Sequence, residues 1–569
     1  MWRTVALVLG VAVARLVYLW WLCPYTLVED EAHYWEWSTR LDWSYYSKGP
    51  GMALVIRAAT ELFGTTEAAV RLPAVVASAV AGLGVAGLAA DVSRGPGKVR
   101  GPMNWRVGFA AAALFLLVPL TQILAIVSTI DGPMLACWSL ACWGGWMALE
   151  RGSFWGWVRL GGALGIGFAF KYTVLLLIPG IVLYALLRRG RLTLASGWQP
   201  LATIAAALTL AGLTPVVIWN AQNEWATVRH LMGHLGMAGG DMPVALLGRE
   251  SRDRGYNPKW TAEFVGTQLG IVGPALALAV IGAAQGRRWW RRRCVRAVGV
   301  LYLLLCSAPV LLFYLGVTLV SEVEGNWAAG GYPPLVALGG WMVALSLARY
   351  RGLVAVWRRQ PPDERGLRPW WGYVRRKPEL PGQIWWHVAL GYGLISGVGM
   401  LRLDWLSGVP ALGEIAPVGR FVGARELGRH AGEVGEKLRA ETGREVFFVA
   451  QHYGRASVLR FYLPGRPVVY CTSARMAGRR TQYDLWPDTS LDSPGLIGRP
   501  AVMLGATPEQ WREIFREVRP IGRLRGDSKL QRQAFEGLGY TGYGDRAAGG
   551  GGGAGENRGG AERGRERGS

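Results

Sequence analysis

Residues 107–127 read VGFAAAALFLLVPLTQILAIV, an uncharged apolar run of the length that spans the hydrocarbon core of a bilayer. Similar runs with few or no charges recur at 201–219, 298–319 and 386–400. The 569-residue chain is 51% hydrophobic and only 18% charged, and a soluble fold has no reason to keep so many long apolar stretches. The sequence therefore predicts a polytopic α-helical membrane protein and excludes an ordinary soluble enzyme.

The basic residues give the chain a formal net charge of +23, which in a soluble protein would suggest a nucleic-acid partner. Here they sit mostly between the apolar runs, at 94–106, 188–191, 287–296 and 351–377. Cytoplasmic loops have this distribution under the positive-inside rule, and Trp and Arg beside a span are ordinary interfacial anchors. We therefore expect membrane lipids as partners, no nucleic acid, and a multi-pass protein of the cytoplasmic (inner) membrane.

The alternation of basic loops sets the predicted topology. Residues 5–22 lack a small-residue cleavage site, so they are interpreted as a retained first span. The run 160–187 lies between two cytoplasmic loops, and a pair of short crossings hinged near Lys171 keeps the parity. Counting by length predicts about 11 crossings within residues 1–401, including one at 262–284, with the C-terminal region outside.

Residues 402–545 change character and predict a small extracytoplasmic α/β domain. An amphipathic helix is expected at 508–518. The tail 546–569 has almost nothing to bury and should be disordered. Three short apolar runs indicate buried strands, at 447–450, 468–471 and 501–504.

The first outer loop, 23–69, carries the most informative polar residues. Glu29, Asp30 and Glu31 follow closely on the first span, and Lys48 comes before a Gly-Pro-Gly. Charges this close to hydrocarbon are costly unless they are paired, hydrated or used. An arbitrary acidic triplet would be a solvated loop beside the headgroups, but this one opens an aromatic, amphipathic stretch that should lie at the interface and cover a cavity.

Two further outer turns carry isolated ionisable groups, Asp131 and Lys171, which indicates a site assembled from several spans. A carboxylate there can deprotonate an acceptor hydroxyl, and cations or a divalent metal ion can stabilise the charge growing on a leaving phosphate. The sequence shows no Walker-type phosphate loop and no dinucleotide fingerprint, which disfavours an ATP-driven pump. This chemistry suits glycosyl transfer from a lipid-linked phosphate donor.

A family resemblance points the same way. VEDEAHYWEWSTRLDWSYYSKGPGMALVIRAATELFG and AAVRLPAVVAS resemble the bacterial family 39 and family 83 glycosyltransferases, relatives of the protein O-mannosyltransferases and the lipid A aminoarabinose transferase. The resemblance extends through STIDGPML, FKYTVLLLIPG, PVVIWNAQNEWATVRHLMGH and VEGNWAAGGYPPL, and covers most of residues 25–490. It implies a GT-C fold and an inverting enzyme that transfers a sugar from a polyprenyl-phosphate donor to an extracytoplasmic lipid, glycan or protein acceptor.

The resemblance also implies residue roles. Asp30 would be the catalytic base, with Glu31 supporting it. Lys48 would contact the carrier phosphate, although Gly49-Pro50 replaces the usual Pro-Pro of relatives. Arg71 resembles the Arg that opens the second span in relatives. Either donor binding or anchoring at the membrane interface would explain an arginine at this position.

Other matches extend the predicted cavity. Lys171 matches a basic residue of the short hairpin and would bind the donor. His33, His230 and His234 are candidate metal ligands, but only the last two have helical i, i+4 spacing, without a third partner. The RRTQYDLWPD segment at 479–488 would contact the acceptor or seat the outer domain on the membrane part. The predicted cavity residues are Asp131, His33, Tyr46, Asn220, Asn223, Trp225, Glu324, Asn326 and Trp327.

Two alternatives stay open on the sequence. A flippase or transporter of lipid-linked sugars would use the same charged turns as a path, but should carry charges deep within spans or show repeat symmetry. A scaffold that has kept the fold without activity would have little reason to keep Asp30, Glu31 and Lys48 together.

Overall fold

The computed structural model describes residues 1–97, 102–194, 197–234, 237, 240–241, 256–358, 381–407, 418–478, 480–526 and 533–543. The predicted tail at 546–569 lies outside these residues, as does Arg479. Within them, the N-terminal 407 residues form a helical bundle, and residues 418–543 form a sheet covered by helices.

Six described helices are long and apolar enough to cross a membrane, and a bent pair makes up to seven. These six are α1 with its π-helical extension Tyr18–Leu22, α4, α10, α14, α15 and α16. The larger count of about 11 stays a prediction. In chain order the helices are α1 (Trp2–Val17), α2 (Glu29–Ser38), α3 (Gly51–Phe63), α4 (Glu67–Val92), α5 (Trp105–Leu117), α6 (Pro119–Ile123), α7 (Asp131–Arg151), α8 (Phe154–Phe170), α9 (Leu177–Leu187), α10 (Trp198–Gln222), α11 (Ala226–His234), α12 (Pro258–Val272), α13 (Pro274–Arg291), α14 (Arg296–Val317), α15 (Tyr332–Arg358), α16 (Pro381–Leu401) and α17 (Leu403–Ser407).

The predicted hairpin within 160–187 is present, although its first helix already begins at Phe154. Lys171 adopts an extended conformation between α8 and a 3₁₀ turn that leads into α9. At one end of the bundle the Lys171 ammonium lies 2.7 Å from Asp131, the first residue of α7. At the other end Arg188, just after α9, lies 3.3 Å from Glu150 near the end of α7. These two contacts show that the chain reverses at Lys171.

The segment predicted to cross at 262–284 is sharply bent. Residues 258–291 form two helices, α12 and α13, bent by 94° at Gly273. Gly273 has φ +57°, and a Cβ there would lie 2.5 Å from the Tyr392 ring. Gly273 therefore supplies both the left-handed backbone and the close approach that the bend needs.

Small residues let the helices of the bundle approach closely. A Cβ on Gly212 of α10 would lie 2.3 Å from the Cα of Gly165 in α8, and one on Gly340 of α15 would lie 2.3 Å from the Cα of Ala111 in α5. Between lipid-facing helices such contacts are a main source of association, because lipid tails are as apolar as the side chains.

The C-terminal region contains a five-stranded sheet in the order β2-β1-β3-β5-β4. β1 pairs in parallel with β2 and β3, whereas β5 is antiparallel to both β3 and β4. The first three strands lie where strands were predicted. The elements are α18 (Ala424–Thr442), β1 (Phe447–Ala450), α19 (Tyr453–Tyr462), β2 (Val469–Cys471), α20 (Ser473–Ala477), β3 (Ala501–Leu504), α21 (Pro508–Arg512), β4 (Phe515–Gly522) and β5 (Ala534–Tyr540).

The helix predicted at 508–518 is wrong in its second half. The helix ends at Arg512, and Phe515 begins β4. Phe515 is buried and its ring packs 5.1 Å from that of Tyr540 on the neighbouring strand. Strand pairing with β5 therefore overrides the local helical pattern.

Candidate active site

A polar cavity of about 190 Å³ lies where the first outer loop, two outer turns of the bundle and the C-terminal sheet region meet. It brings together groups that are far apart in sequence, including Asp30, Asp131 and the two lysines that the sequence singled out, Lys48 and Lys171. The cavity is lined by Asp30, His33, Tyr34, Trp37, Tyr46, Ser47, Lys48, Thr129, Ile130, Asp131, Lys171, His230, Asn326, Trp327, Tyr453, Arg480, Thr481 and Gln482.

Asp30 is the second residue of α2, a position where the helix dipole favours a negative charge. Among the described residues no hydrogen-bond donor or cation lies in contact with its carboxylate. The side chain keeps access to the cavity, yet protein surrounds it, and this burial raises the pKa of Asp30. The neighbouring Glu29 raises the pKa further, and Lys48 opposes the shift. An unpaired carboxylate with a raised pKa suits a general base.

Glu31 lies one residue further along α2 but points away from the cavity, into a buried ion pair. Arg71 in α4 donates two hydrogen bonds to its carboxylate, at 2.9 and 2.7 Å. The backbone N–H groups of Ser128 and Val28 donate two more, at 2.8 and 3.2 Å. The bond from Val28 caps the start of α2. Glu31 and Arg71 thus join the first loop, the second span and the second outer turn.

This geometry bears on two expectations. Arg71 does not line the cavity and its side chain is only 3% exposed, so donor binding by Arg71 stays a prediction that the geometry does not favour. Glu31 holds α2, the helix that carries Asp30, and does not line the cavity. The anchoring interpretation of Arg71 is the one that the structure favours, although the anchor is a buried acid and not the membrane interface.

Asp131 holds two other elements at the cavity wall. Its carboxylate accepts hydrogen bonds from the Lys171 ammonium and from the Asn326 amide, both at 2.7 Å. Asp131 is 1% exposed and Lys171 is 7% exposed, so the charges stabilise each other out of bulk water. The three outer turns predicted to share a site do meet.

Lys48 reaches the cavity from a tight turn in which its carbonyl oxygen accepts the Tyr45 N–H at 3.0 Å. The following glycines explain the departure from the usual Pro-Pro. A Cβ on Gly49 would lie 2.4 Å from the Ala169 carbonyl oxygen, and one on Gly51 would lie 2.7 Å from the Phe170 ring. The turn therefore packs directly on the end of α8, next to Lys171.

His33 lines the cavity, but both of its ring nitrogens are engaged. Trp37 can only donate, and its indole N–H lies 3.1 Å from His33 Nε2, so this nitrogen accepts. Nδ1 must then carry the proton that it donates to Ser457 Oγ at 2.9 Å. His230 also lines the cavity, while the side chain of His234 lies outside the described residues. In the described part of the chain no three His, Cys, Asp or Glu side chains form a metal-binding group.

Several residues that were predicted to line the cavity lie outside it. The Asn220 side chain accepts the Thr227 N–H at 3.0 Å and shapes the turn between α10 and α11. The Asn223 amide donates to the Trp219 carbonyl at 2.9 Å, and Glu324 is solvent-exposed. Asn326 and Trp327 line the cavity, whereas Trp225 is not among its lining residues. Tyr46 does line it, and its hydroxyl donates to Asp241 at 2.6 Å.

Residues of the C-terminal region complete the cavity, and the sequence did not predict them. Tyr453, Arg480 and Gln482 form part of its wall, and the Gln482 side chain accepts the Tyr46 N–H at 2.6 Å. The neighbouring RRTQYDLWPD residues seat the region on the first loop, since Asp488 accepts two hydrogen bonds from Arg40. The sequence signal for these residues is the segment 479–488. Its sequence does not distinguish contact with the acceptor from seating of the C-terminal region on the membrane part.

Comparisons with known proteins agree with this arrangement. Residues 47–219 match the family described as dolichyl-phosphate-mannose-protein mannosyltransferase. The crystal structure of apo ArnT from Cupriavidus metallidurans matches 94% of this chain and 97% of its own, with a TM-score of 0.55 and 16% sequence identity. The chain therefore resembles the GT-C glycosyltransferases, in sequence over residues 47–219 and in fold over 94% of its length. The resemblance inferred from the sequence motifs is confirmed.

Two further similar proteins are informative. ArnT from the same organism bound to undecaprenyl phosphate matches with the same TM-score of 0.55, identity and coverage. Lipid A galacturonosyltransferase RgtD from Rhizobium johnstonii is 28% identical over 322 residues. That match covers 56% of this chain and 60% of the relative, so the chain matches about three fifths of the relative's length.

Proposed function

We propose that this GT-C protein is a glycosyltransferase that moves a sugar from a polyprenyl-phosphate donor to an acceptor outside the cytoplasm. The observation that carries the proposal is the unpaired Asp30 carboxylate in one cavity with Lys48 and Lys171. The relatives support it, since one is named a lipid A galacturonosyltransferase and another was solved with undecaprenyl phosphate. The name of the first favours a lipid acceptor over a glycan or protein.

The cavity residues suggest a single displacement that inverts the sugar carbon. Asp30 takes the proton of the acceptor hydroxyl while that oxygen bonds to the anomeric carbon. The bond from this carbon to the phosphate oxygen breaks, and its electron pair leaves with the carrier phosphate. Lys48 would neutralise the charge that grows there, as preorganised cations do in phosphate-leaving reactions. Lys171 is held by Asp131, so it would orient the donor more than neutralise it.

The same proposal places the cavity and the C-terminal region on the extracytoplasmic side. The cavity lies at the Asp131 end of α7. At the opposite end, Arg151 pairs with Asp91 at 2.9 Å, beside the basic loops expected in the cytoplasm. A donor carried by a membrane lipid would then enter from the outer leaflet.

A transfer assay in proteoliposomes tests the proposal. Purified protein is given radiolabelled polyprenyl-phosphate hexoses, pentoses and uronic acids, with membrane lipids as acceptors. We expect label to appear in the acceptor with release of polyprenyl phosphate in equal amount. Movement of intact labelled donor across the bilayer without transfer would instead support a flippase and overturn the proposal.

A further inference from the structure

The helix α19 of the C-terminal region lies along α2, the helix that bears Asp30. Its polar contacts fall on one face of α2, at residues one turn apart. The two helices also share an aromatic contact, in which Phe461 of α19 packs edge-on against Trp35 of α2 with ring centroids 4.8 Å apart. The polar contacts in order along α2 are Glu29 with Arg455 (2.8 Å), His33 with Ser457 (2.9 Å) and Glu36 with Arg460 (2.9 Å).

A buried chain of hydrogen bonds closes a loop between the two regions. From His33 it runs through the Ser457 hydroxyl to the Tyr483 hydroxyl, 2.9 Å away, and the Tyr483 hydroxyl donates to Glu36. His33 and Glu36 both belong to α2, so the chain leaves this helix and returns to it almost one turn later. All four side chains are buried, and a slide or rotation of α2 would break both ends of the chain.

Close packing fixes the start of α2 as well. Gly454 lies directly against Glu29, and a Cβ at that position would lie 2.6 Å from the Glu29 Cβ. The next residue of α2 is Asp30, and Tyr453 beside Gly454 lines the cavity. The beginning of α19 therefore meets α2 at the residue next to the proposed base.

We propose that α19 is a positioning element of the active site, in which Ser457 and Tyr483 hold α2 so that Asp30 faces the acceptor hydroxyl. The inference rests on the proposed role of Asp30 as general base. It assigns the C-terminal region a part in the chemical step, beyond any part in acceptor recognition. Ser457 and Tyr483 do not line the cavity, so they act through α2 and not on the substrate.

The test removes one hydroxyl at a time. Tyr483→Phe and Ser457→Ala are compared with Tyr540→Phe, a matched control in the same region. The Tyr540 hydroxyl is buried and donates to the Leu491 carbonyl at 2.9 Å, on a surface of the sheet region that does not contact α2. Small misplacements of reacting groups can cost up to about a hundredfold in rate. We therefore expect Tyr483→Phe and Ser457→Ala to lower kcat about tenfold, with donor KM changed less than twofold, and Tyr540→Phe to change neither.

Each outcome decides the inference. Wild-type protein that transfers sugar, with Tyr483→Phe and Ser457→Ala as active as Tyr540→Phe, overturns the positioning role and leaves the proposed function standing. A rise in donor KM with unchanged kcat also overturns it, because it indicates a binding role. If Tyr483→Phe fails to fold, Ser457→Ala gives the answer, since its smaller change leaves the Tyr483–Glu36 bond in place. Wild-type protein without transfer activity refutes the proposed function and the inference together.

Discussion

Replacing Arg71 by Met should destabilise the fold far more than replacing an exposed arginine does. The substitution removes both hydrogen bonds that hold the Glu31 carboxylate from α4, and Glu31 is 0% exposed. Breaking a buried ion pair on one side costs about 3–5 kcal/mol, because the other charge stays buried without compensation. The Ser128 and Val28 N–H groups still bind Glu31, so we expect the lower end, about 3 kcal/mol.

The free energy of unfolding in SDS titrations of the purified protein measures this cost. Arg57→Met is the control, since Arg57 pairs with Glu61 on the surface and should lose less than about 1 kcal/mol. The double variant Glu31→Gln, Arg71→Met should recover part of the loss, because no charge is left unpaired. If Arg71→Met unfolds like Arg57→Met but raises donor KM, Arg71 contacts the donor, and its assignment as the buried partner that stabilises Glu31 is refuted.

Three more outcomes follow from the structure. The proposed base Asp30 would act in its deprotonated form, and its pKa is raised, so we expect kcat/KM to fall on acidification at a pH above the ordinary aspartate pKa of about 4. A pH–rate profile that stays flat down to that pH would contradict this role. Lys171→Met should lower the free energy of unfolding in the same SDS titration by about 3 kcal/mol, because the buried Asp131 charge loses its ion-pair partner. Adding Asp131→Asn should recover part of this loss, since the side chain that Asn326 contacts is then neutral. Gly212→Val should separate α10 from α8 at Gly165 and lower the thermal unfolding midpoint, whereas Gly162→Val, which has open space, should not.

The parts of the site that the sequence predicted are those whose chemistry is visible in single residues. Asp30, Lys48, Asp131 and Lys171 stand out because ionisable groups at the ends of apolar spans are costly, and the topology places these ends on one side. Their meeting in one cavity follows from that placement.

The sequence left roles undecided where a role depends on a partner. Nothing in the sequence pairs Arg71 with Glu31, so a buried arginine could not be told from a phosphate ligand. The contribution of Arg480 and Gln482 depends on how the C-terminal region docks on α2, a tertiary arrangement with no local pattern. Gly273-Pro274 is a sequence signal for the bend between α12 and α13. The prediction of a crossing at 262–284 rested on length and hydropathy alone, which do not register such a bend.

The role of Asp30 can be tested most directly by single-turnover sugar transfer with Asp30→Asn. Asp42→Asn is the matched control in the same loop, because the Asp42 carboxylate accepts the Trp219 indole N–H at 2.7 Å and an asparagine oxygen can still do so. We expect Asp30→Asn to bind donor normally and to slow transfer on the order of a hundredfold or more, with Asp42→Asn close to wild type. Transfer by Asp30→Asn at the rate of Asp42→Asn would contradict the assignment of Asp30 as the base.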